Sequence, residues 1–148
     1  MTKIIDCFDG DYWFLSNFTY ATFTKNSARW DTVEHYFQAM KTTDLQKREE
    51  IRLAGHPRFA KKFGRQLLLR PDWEQIKYIV MLNGVMAKFN QNLQLANLLR
   101  ATKSAFLEEG NTWHDNIWGN CTCFKCTNII GQNLLGKILM RVRTELEV

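Results

Sequence analysis

The chain has 148 residues, of which 45% are hydrophobic and 13% aromatic, with a net charge of +5. That size and composition suit one globular domain, residues 1–148, with a sizeable core. They exclude a low-complexity or fibrous chain, and no apolar run approaches the ~18 residues of a membrane span. The positive balance favours an anionic, phosphate-bearing ligand or a nucleic-acid surface.

The N-terminal stretch lacks an extended apolar segment of the secretory type, so a soluble cytoplasmic protein is the default expectation. Ile4-Ile5 and Tyr20–Phe23 read as short strands, and Phe14–Phe18 between them as a loop or tight turn.

The next segment, Arg29–Lys41, carries the strongest pattern. Val33, Tyr36, Phe37 and Met40 fall on one face of a helix over about 32–41. Glu34, Gln38 and Lys41 fall on a neighbouring face at +4 and +7. A carboxyl held beside an aromatic core can have its pKa raised enough to act as an acid. Asp31 lies three residues before Glu34, which is capping-box spacing. Spacing alone favours that cap reading over a catalytic one.

A second helix is expected over about 44–54, ending near Gly55 and Pro57, and a third over 57–63. Lys61, Lys62, Arg65 and Arg70 form the densest basic run, which reads first as a solvated helix face. Pro71 fits the first turn of a helix that runs to about Phe89. Its apolar residues (Trp73, Ile76, Val80; Ile79, Leu82, Met86, Phe89) surround it so broadly that it reads as buried and central. Residues 92–101 form a further helix through Leu95, Leu98 and Leu99.

Residues 110–130 show neither helical nor strand period; loops of that length are usually functional or disordered, and three cysteines and two tryptophans make disorder the poorer choice. Asp115 supplies a second carboxylate between Trp113 and Trp118, which either stack on a planar base or anchor the loop. Cys121, Cys123 and Cys126 have spacing suited to a structural zinc, with His114 or Cys7 as fourth ligand. The alternative is a cluster of reduced thiols. Gly131–Gly136 precedes the last helix, 133–146. Asn133 is a plausible N-cap there, and the glycines would admit a phosphate or ribose to the positive helix end. The fold class is mainly α with a small N-terminal β element.

Phe14-Leu15-Ser16-Asn17-Phe18, Trp30-x-Thr-x-Glu-His-Tyr-Phe-Gln-Ala-x-Lys41, Arg70-x-Asp-Trp73, Lys88-Phe89, Asp115-x-x-Trp-Gly119 and Asn133-x-Leu-Gly136-x-x-Leu-Met-x-x-Arg143 occur in this order. Together they resemble the YbiA-like, or NADAR, family across nearly the whole chain. The resemblance implies a compact helical N-glycosidase that needs no cofactor for catalysis. One branch of the family acts on phosphorylated ribosylamine intermediates of riboflavin biosynthesis; another removes ADP-ribose from guanine bases. The resemblance implies that Glu34 is the principal catalytic carboxylate. It places Trp30, Lys41, Arg65, Asp115, Trp118 and Asn133 around the pocket, with Asn17, Phe18, Tyr36 and Gly119 as further motif contacts. The cysteine-bearing loop departs from the shorter glycine-rich loop of the riboflavin-linked branch, which points to ADP-ribosylated guanine as the substrate. Partners are then an ADP-ribose or ribose-phosphate compound, or ADP-ribosylated DNA or RNA, and no membrane. The rival classes are a non-catalytic ADP-ribose or NAD-binding module and a zinc-organised nucleic-acid binder.

Overall fold

A computed structural model describes residues 1–146. The elements follow the order β1 (Ile4–Ile5), β2 (Phe23–Lys25), β3 (Ala28–Trp30), α1 (Val33–Ala39), α2 (Leu45–Arg52), α3 (Pro57–Arg65), α4 (Trp73–Asn90), α5 (Leu93–Ala101), β4 (Phe106–Leu107), β5 (Gly110–Asn111), β6 (Asn120–Cys121) and α6 (Leu134–Leu146). Helices dominate, in line with the expected class. No helix among the described residues is long and apolar enough to cross a membrane. Two compact units emerge: Asn17–Leu93, and residues 1–16 together with the chain from Gln94 onward.

In the Asn17–Leu93 unit, α1 occupies the centre. It packs against α2, α3, α4 and β3, and all seven of its residues are buried. Helix α4 was the expected centre. Most of Val80–Phe89 is buried, with Asn83 exposed and Met86 half-buried, but Ile79 and Tyr78 in its first half lie on the surface. The whole-helix apolar count hid this change of environment along its length. Pro71 also falls outside α4, in the turn closed by the Trp73 N–H to the Arg70 carbonyl at 3.1 Å.

Helix α1 is started by Thr32, not by Asp31. The Thr32 Oγ1 accepts from the His35 N–H at 3.1 Å and donates to His35 Nδ1 at 2.7 Å. The His35 Nε2–H then donates to the Ala54 carbonyl at 2.9 Å. This neutral tautomer satisfies both ring nitrogens of a fully buried histidine, whose pKa burial lowers. The expected capping role for Glu34 is therefore overturned: the cap pair is Thr32 and His35, one residue further along.

Sequence reading missed the β2–β3 hairpin. Lys25 pairs with Ala28 across a two-residue turn, with Asn26 and Ser27 at φ of 54° and 59°. Such turns favour Asn-Gly; serine in the second place concealed the signal.

Helix α3 approaches α1 at Gly64. A Cβ there would lie 1.9 Å from Gln38 Oε1 and 3.0 Å from Gln38 Cβ. Only glycine leaves room for the buried glutamine.

In the other unit, β1 pairs in parallel with β4, and β5 in parallel with β6. Helix α6 packs on β4. A Cβ at Gly136 would lie 2.1 Å from the Leu107 carbonyl oxygen, so this glycine lets the helix meet the strand backbone. Arg143, buried on α6, donates to Thr102 Oγ1 at 2.8 Å and the Ala105 carbonyl at 2.9 Å.

Two outcomes are expected. Gly64→Ala should cost about 1–3 kcal/mol through overpacking, seen as a lower denaturation midpoint with unchanged m-value. Lys88 on α4 is only 1% exposed, and burial pushes its ammonium pKa down to about 7 from 10.5. The unfolded chain thus binds an extra proton between those values, so the native state loses stability as pH falls through that window. Lys88→Met should therefore be more stable than the parent at neutral pH. The difference should shrink as pH rises toward 10.5, which melting curves across pH would show.

Candidate active site

The helical repeat of α1 places Glu34 and Gln38 on one stripe, and Lys41, in the turn just past the helix, is close enough to act on Glu34. Helix α3 brings Lys61 and Arg65 beside them, one turn apart and flanking Gly64. Glu34 is buried at 7% exposure. Its carboxyl accepts a hydrogen bond from Gln38 Nε2 through Oε1 at 2.8 Å. Burial raises its pKa above the ordinary carboxylate range, opposed by that hydrogen bond and by the charges of Lys61, Lys41 and Arg65. Lys41 is shifted the other way: burial lowers its pKa, while Glu34 supports its charge. The basic run is thus not merely a solvated face, because Lys61 and Arg65 act electrostatically on a buried acid.

The amide geometry assigns the two carboxyl oxygens. Oε1 is occupied by the Gln38 donor, leaving Oε2 to carry a proton when the group is neutral. Gln38 Oε1 itself is buried with no hydrogen-bond partner. That costs about 1–3 kcal/mol and leaves the amide's donor aimed at Glu34.

Asn17 and Phe18 lie in the same unit. The Asn17 carbonyl accepts from the Glu34 N–H at 3.1 Å, so the loop before β2 is tied to the first turn of α1. The Phe18 ring is exposed, and Lys61 Nζ stands 6.0 Å from its centroid. This aromatic surface beside a cation suits a sugar or base face. Trp30 and Tyr36 are placed differently. Both are 3% exposed, with ring centroids 5.5 Å apart at 84°, and Trp30 Nε1 donates to the Lys25 carbonyl at 3.0 Å. They pack in the core and present no open face.

The remaining expected residues belong to the other unit. Asp115 is half-buried; its Oδ1 accepts from the Ile117 N–H at 3.0 Å and the Trp118 N–H at 2.9 Å. It builds the turn that carries Trp118, which is half-buried, whereas Trp113 is exposed. Gly119 is buried, with no room for a Cβ beside the Glu109 carbonyl.

The expectation of an anion site at the start of α6 fails. The Gln132, Asn133, Leu134 and Leu135 N–H groups already donate to the carbonyls of Asn116, Gly119, Ile117 and Trp118 at 2.8–3.2 Å. The Gly131 N–H donates to Asn120 Oδ1 at 2.9 Å. Asn133 is not a side-chain cap. It adopts φ 52°, accepts from the Glu109 N–H at 3.0 Å and donates to the Leu107 carbonyl at 2.9 Å. Its amide fastens α6 to the strand segment.

His114, Cys121, Cys123 and Cys126 converge, with one ligand atom from each lying within 4.8 Å of the others. The set could hold a metal ion, and His114 rather than Cys7 is the fourth member. Cys7 is exposed and donates to Asp9 Oδ1 at 3.0 Å. Lys88 is a residue whose environment the sequence reading passed over. The visible signal was a lysine inside the apolar run Val85–Phe89.

The NADAR domain model matches residues 7–147. The chain is 40% identical over 140 residues to N-glycosidase YbiA of Escherichia coli (strain K12), spanning 93% of this chain and 84% of that protein. It is 36% identical over 141 residues to riboflavin biosynthesis protein VVA0006 of Vibrio vulnificus (strain YJ016), across 94% of this chain and 37% of that longer protein. Its fold is similar to the NMR structure of E. coli YbiA, with a TM-score of 0.84 and 37% sequence identity, covering 99% of this chain and 87% of that one. The order of motifs, the mainly helical fold and this near-complete coverage agree: the chain belongs to the NADAR domain family.

Proposed function

We propose that the chain is an N-glycosidase that hydrolyses the bond between a base or amine and a phosphorylated ribose, with Glu34 as its acid/base. The observation that carries this reading is a buried carboxyl, held by Gln38 and influenced by three cations. Breaking the C1′–N bond builds positive charge on the ribose and negative charge on the leaving nitrogen. A neutral Glu34 can deliver its Oε2 proton to that nitrogen, and the resulting carboxylate can then take a proton from the attacking water. The water oxygen ends on C1′ and the base or amine leaves protonated. Lys41, Lys61 and Arg65 suit the phosphate groups, and Phe18 suits the sugar or base.

Asp115 is the second proposed carboxylate, one whose Oδ1 is already committed to its own turn. Trp118, Gly119 and Asn133 stay in the proposed substrate-binding set on the family resemblance, as do Trp30 and Tyr36, both buried.

The finer proposal is ADP-ribosylated guanine, free or in nucleic acid, supported by the positive charge and the cysteine-bearing loop. A second reading, phosphorylated riboflavin-biosynthesis intermediates, is favoured by the names of YbiA-related proteins such as VVA0006. Both substrates offer an N-linked ribose phosphate to the same cations. Parallel incubation with ADP-ribosyl-guanosine and with ribosylamine phosphates separates them by the free ribose product formed. Turnover of the ribosylamine alone would replace the first substrate by the second. Stoichiometric binding without product from either would support the binding-module class instead.

Glu34→Gln should abolish turnover and keep the fold, because the amide keeps the size but cannot exchange a proton. Turnover at the parental rate would remove Glu34 from the mechanism. Asp115→Asn retains an oxygen acceptor for the turn, so a fall in rate of ~100-fold or more with an unchanged melting temperature is expected if the charge takes part. A change in melting temperature alone would leave Asp115 as a turn residue.

A further inference from the structure

The segment 111–133 has little regular structure, yet it is fastened at both ends. The Asn111 side chain accepts from the Asp115 N–H at 3.2 Å and donates to the Asp115 carbonyl at 2.8 Å. The carbonyls of residues 116–119 receive the N–H groups of residues 132–135, at the entry to α6. Between these anchors the chain folds around four side chains. His114 Nδ1 stands 3.3 Å from Cys123 Sγ and 3.4 Å from Cys126 Sγ. Cys121 and Cys126 are buried, and none of the four cysteines is in a disulfide.

We propose that His114, Cys121, Cys123 and Cys126 bind one zinc ion in a closed tetrahedral site that holds this segment in place. The dimensions suit the ion. With Zn–S near 2.3 Å and Zn–N near 2.0–2.1 Å, a tetrahedron has S···S edges of about 3.8 Å and S···N edges of about 3.6 Å. The two His–Cys edges are within a few tenths of an ångström of that, and all ligand atoms lie within 4.8 Å of one another. Three thiolates and one imidazole are a soft donor set that selects zinc over magnesium or calcium. Four protein ligands leave no position for water, which marks a structural rather than a catalytic ion.

The surroundings are built for ligation as well. Asn116 Nδ2 donates to Cys126 Sγ at 3.4 Å, and its Oδ1 accepts from the Cys121 N–H at 2.9 Å. One asparagine thus orients two ligands, the role outer-shell groups commonly play. His114 adopts φ 70°, a left-handed backbone that a histidine holds only when its surroundings fix it. The same Asn116 gives its carbonyl to the Gln132 N–H at 2.8 Å, so the ion would also secure the entry to α6.

Elemental analysis of the whole chain purified without chelator tests the site first. About one zinc per chain is expected, lost in Cys121→Ser and Cys126→Ser and kept in Cys7→Ser. Replacement by cobalt(II) should give the intense visible bands of a tetrahedral thiolate complex. Stripping the metal should lower the melting temperature and open 111–133 to proteolysis. Should the cysteine variants fail to fold, zinc content and the cobalt spectrum of the parent chain still decide. Zinc well below one equivalent with no tetrahedral cobalt spectrum overturns the proposal and leaves the thiols as packing groups. Stoichiometric iron or copper in place of zinc overturns the identity of the ion.

Discussion

The contact of Gly64 with Gln38 is the constraint on which the proposed chemistry depends. With no side chain at Gly64, α3 can lie against α1 at the position of a buried amide. That amide has its donor on Glu34 and its oxygen unpartnered. The unfavourable burial of the oxygen is accepted where a methyl group would force the amide to shift. Lys61 and Arg65 flank Gly64 on α3, so the same approach that confines Gln38 brings two cations to the acid. Local helix geometry and a single small residue thus set the electrostatics together.

Burial and positive charge act on Glu34 in opposite directions. Removal from water favours the neutral acid, while the cations and the Gln38 donor favour the carboxylate. Desolvation prevails, and the pKa is raised. An acid/base must visit both states in one turnover. A phosphate drawn to Lys41, Lys61 and Arg65 would reduce their pull on Glu34 and strengthen its acid form. The positive charge would then serve binding and proton donation in the same step.

Much of this was legible in the sequence because helical periodicity is local. The stripe of Glu34 and Gln38, with Lys41 just past it, and the limits of α2, α3, α5 and α6 followed from spacing to within a few residues. The convergence of the cysteines followed from their closeness in the chain, with His114 as one of two named partners. What failed depended on contacts between distant segments. Glu34 looked like a cap because Asp31 stands at the right offset, yet Thr32 took that place through a buried histidine bonded to Ala54. Trp30 looked like an open stacking platform because aromatic residues serve both cores and ligands; its burial against Tyr36 comes from a contact the sequence pattern does not announce. The glycine-bounded start of α6 looked open to phosphate, and the carbonyls of residues 116–119 filled it. No local pattern announces those partners.

The central claim is that Glu34 is a buried acid with a raised pKa. Isotope-edited infrared titration of the carboxyl groups, with Glu34→Gln as the difference reference, observes that proton directly. The account predicts a protonated carboxyl band from Glu34 that persists above the ordinary glutamate range and disappears only at higher pH. A Glu34 band that titrates at or below the ordinary glutamate pKa would contradict it.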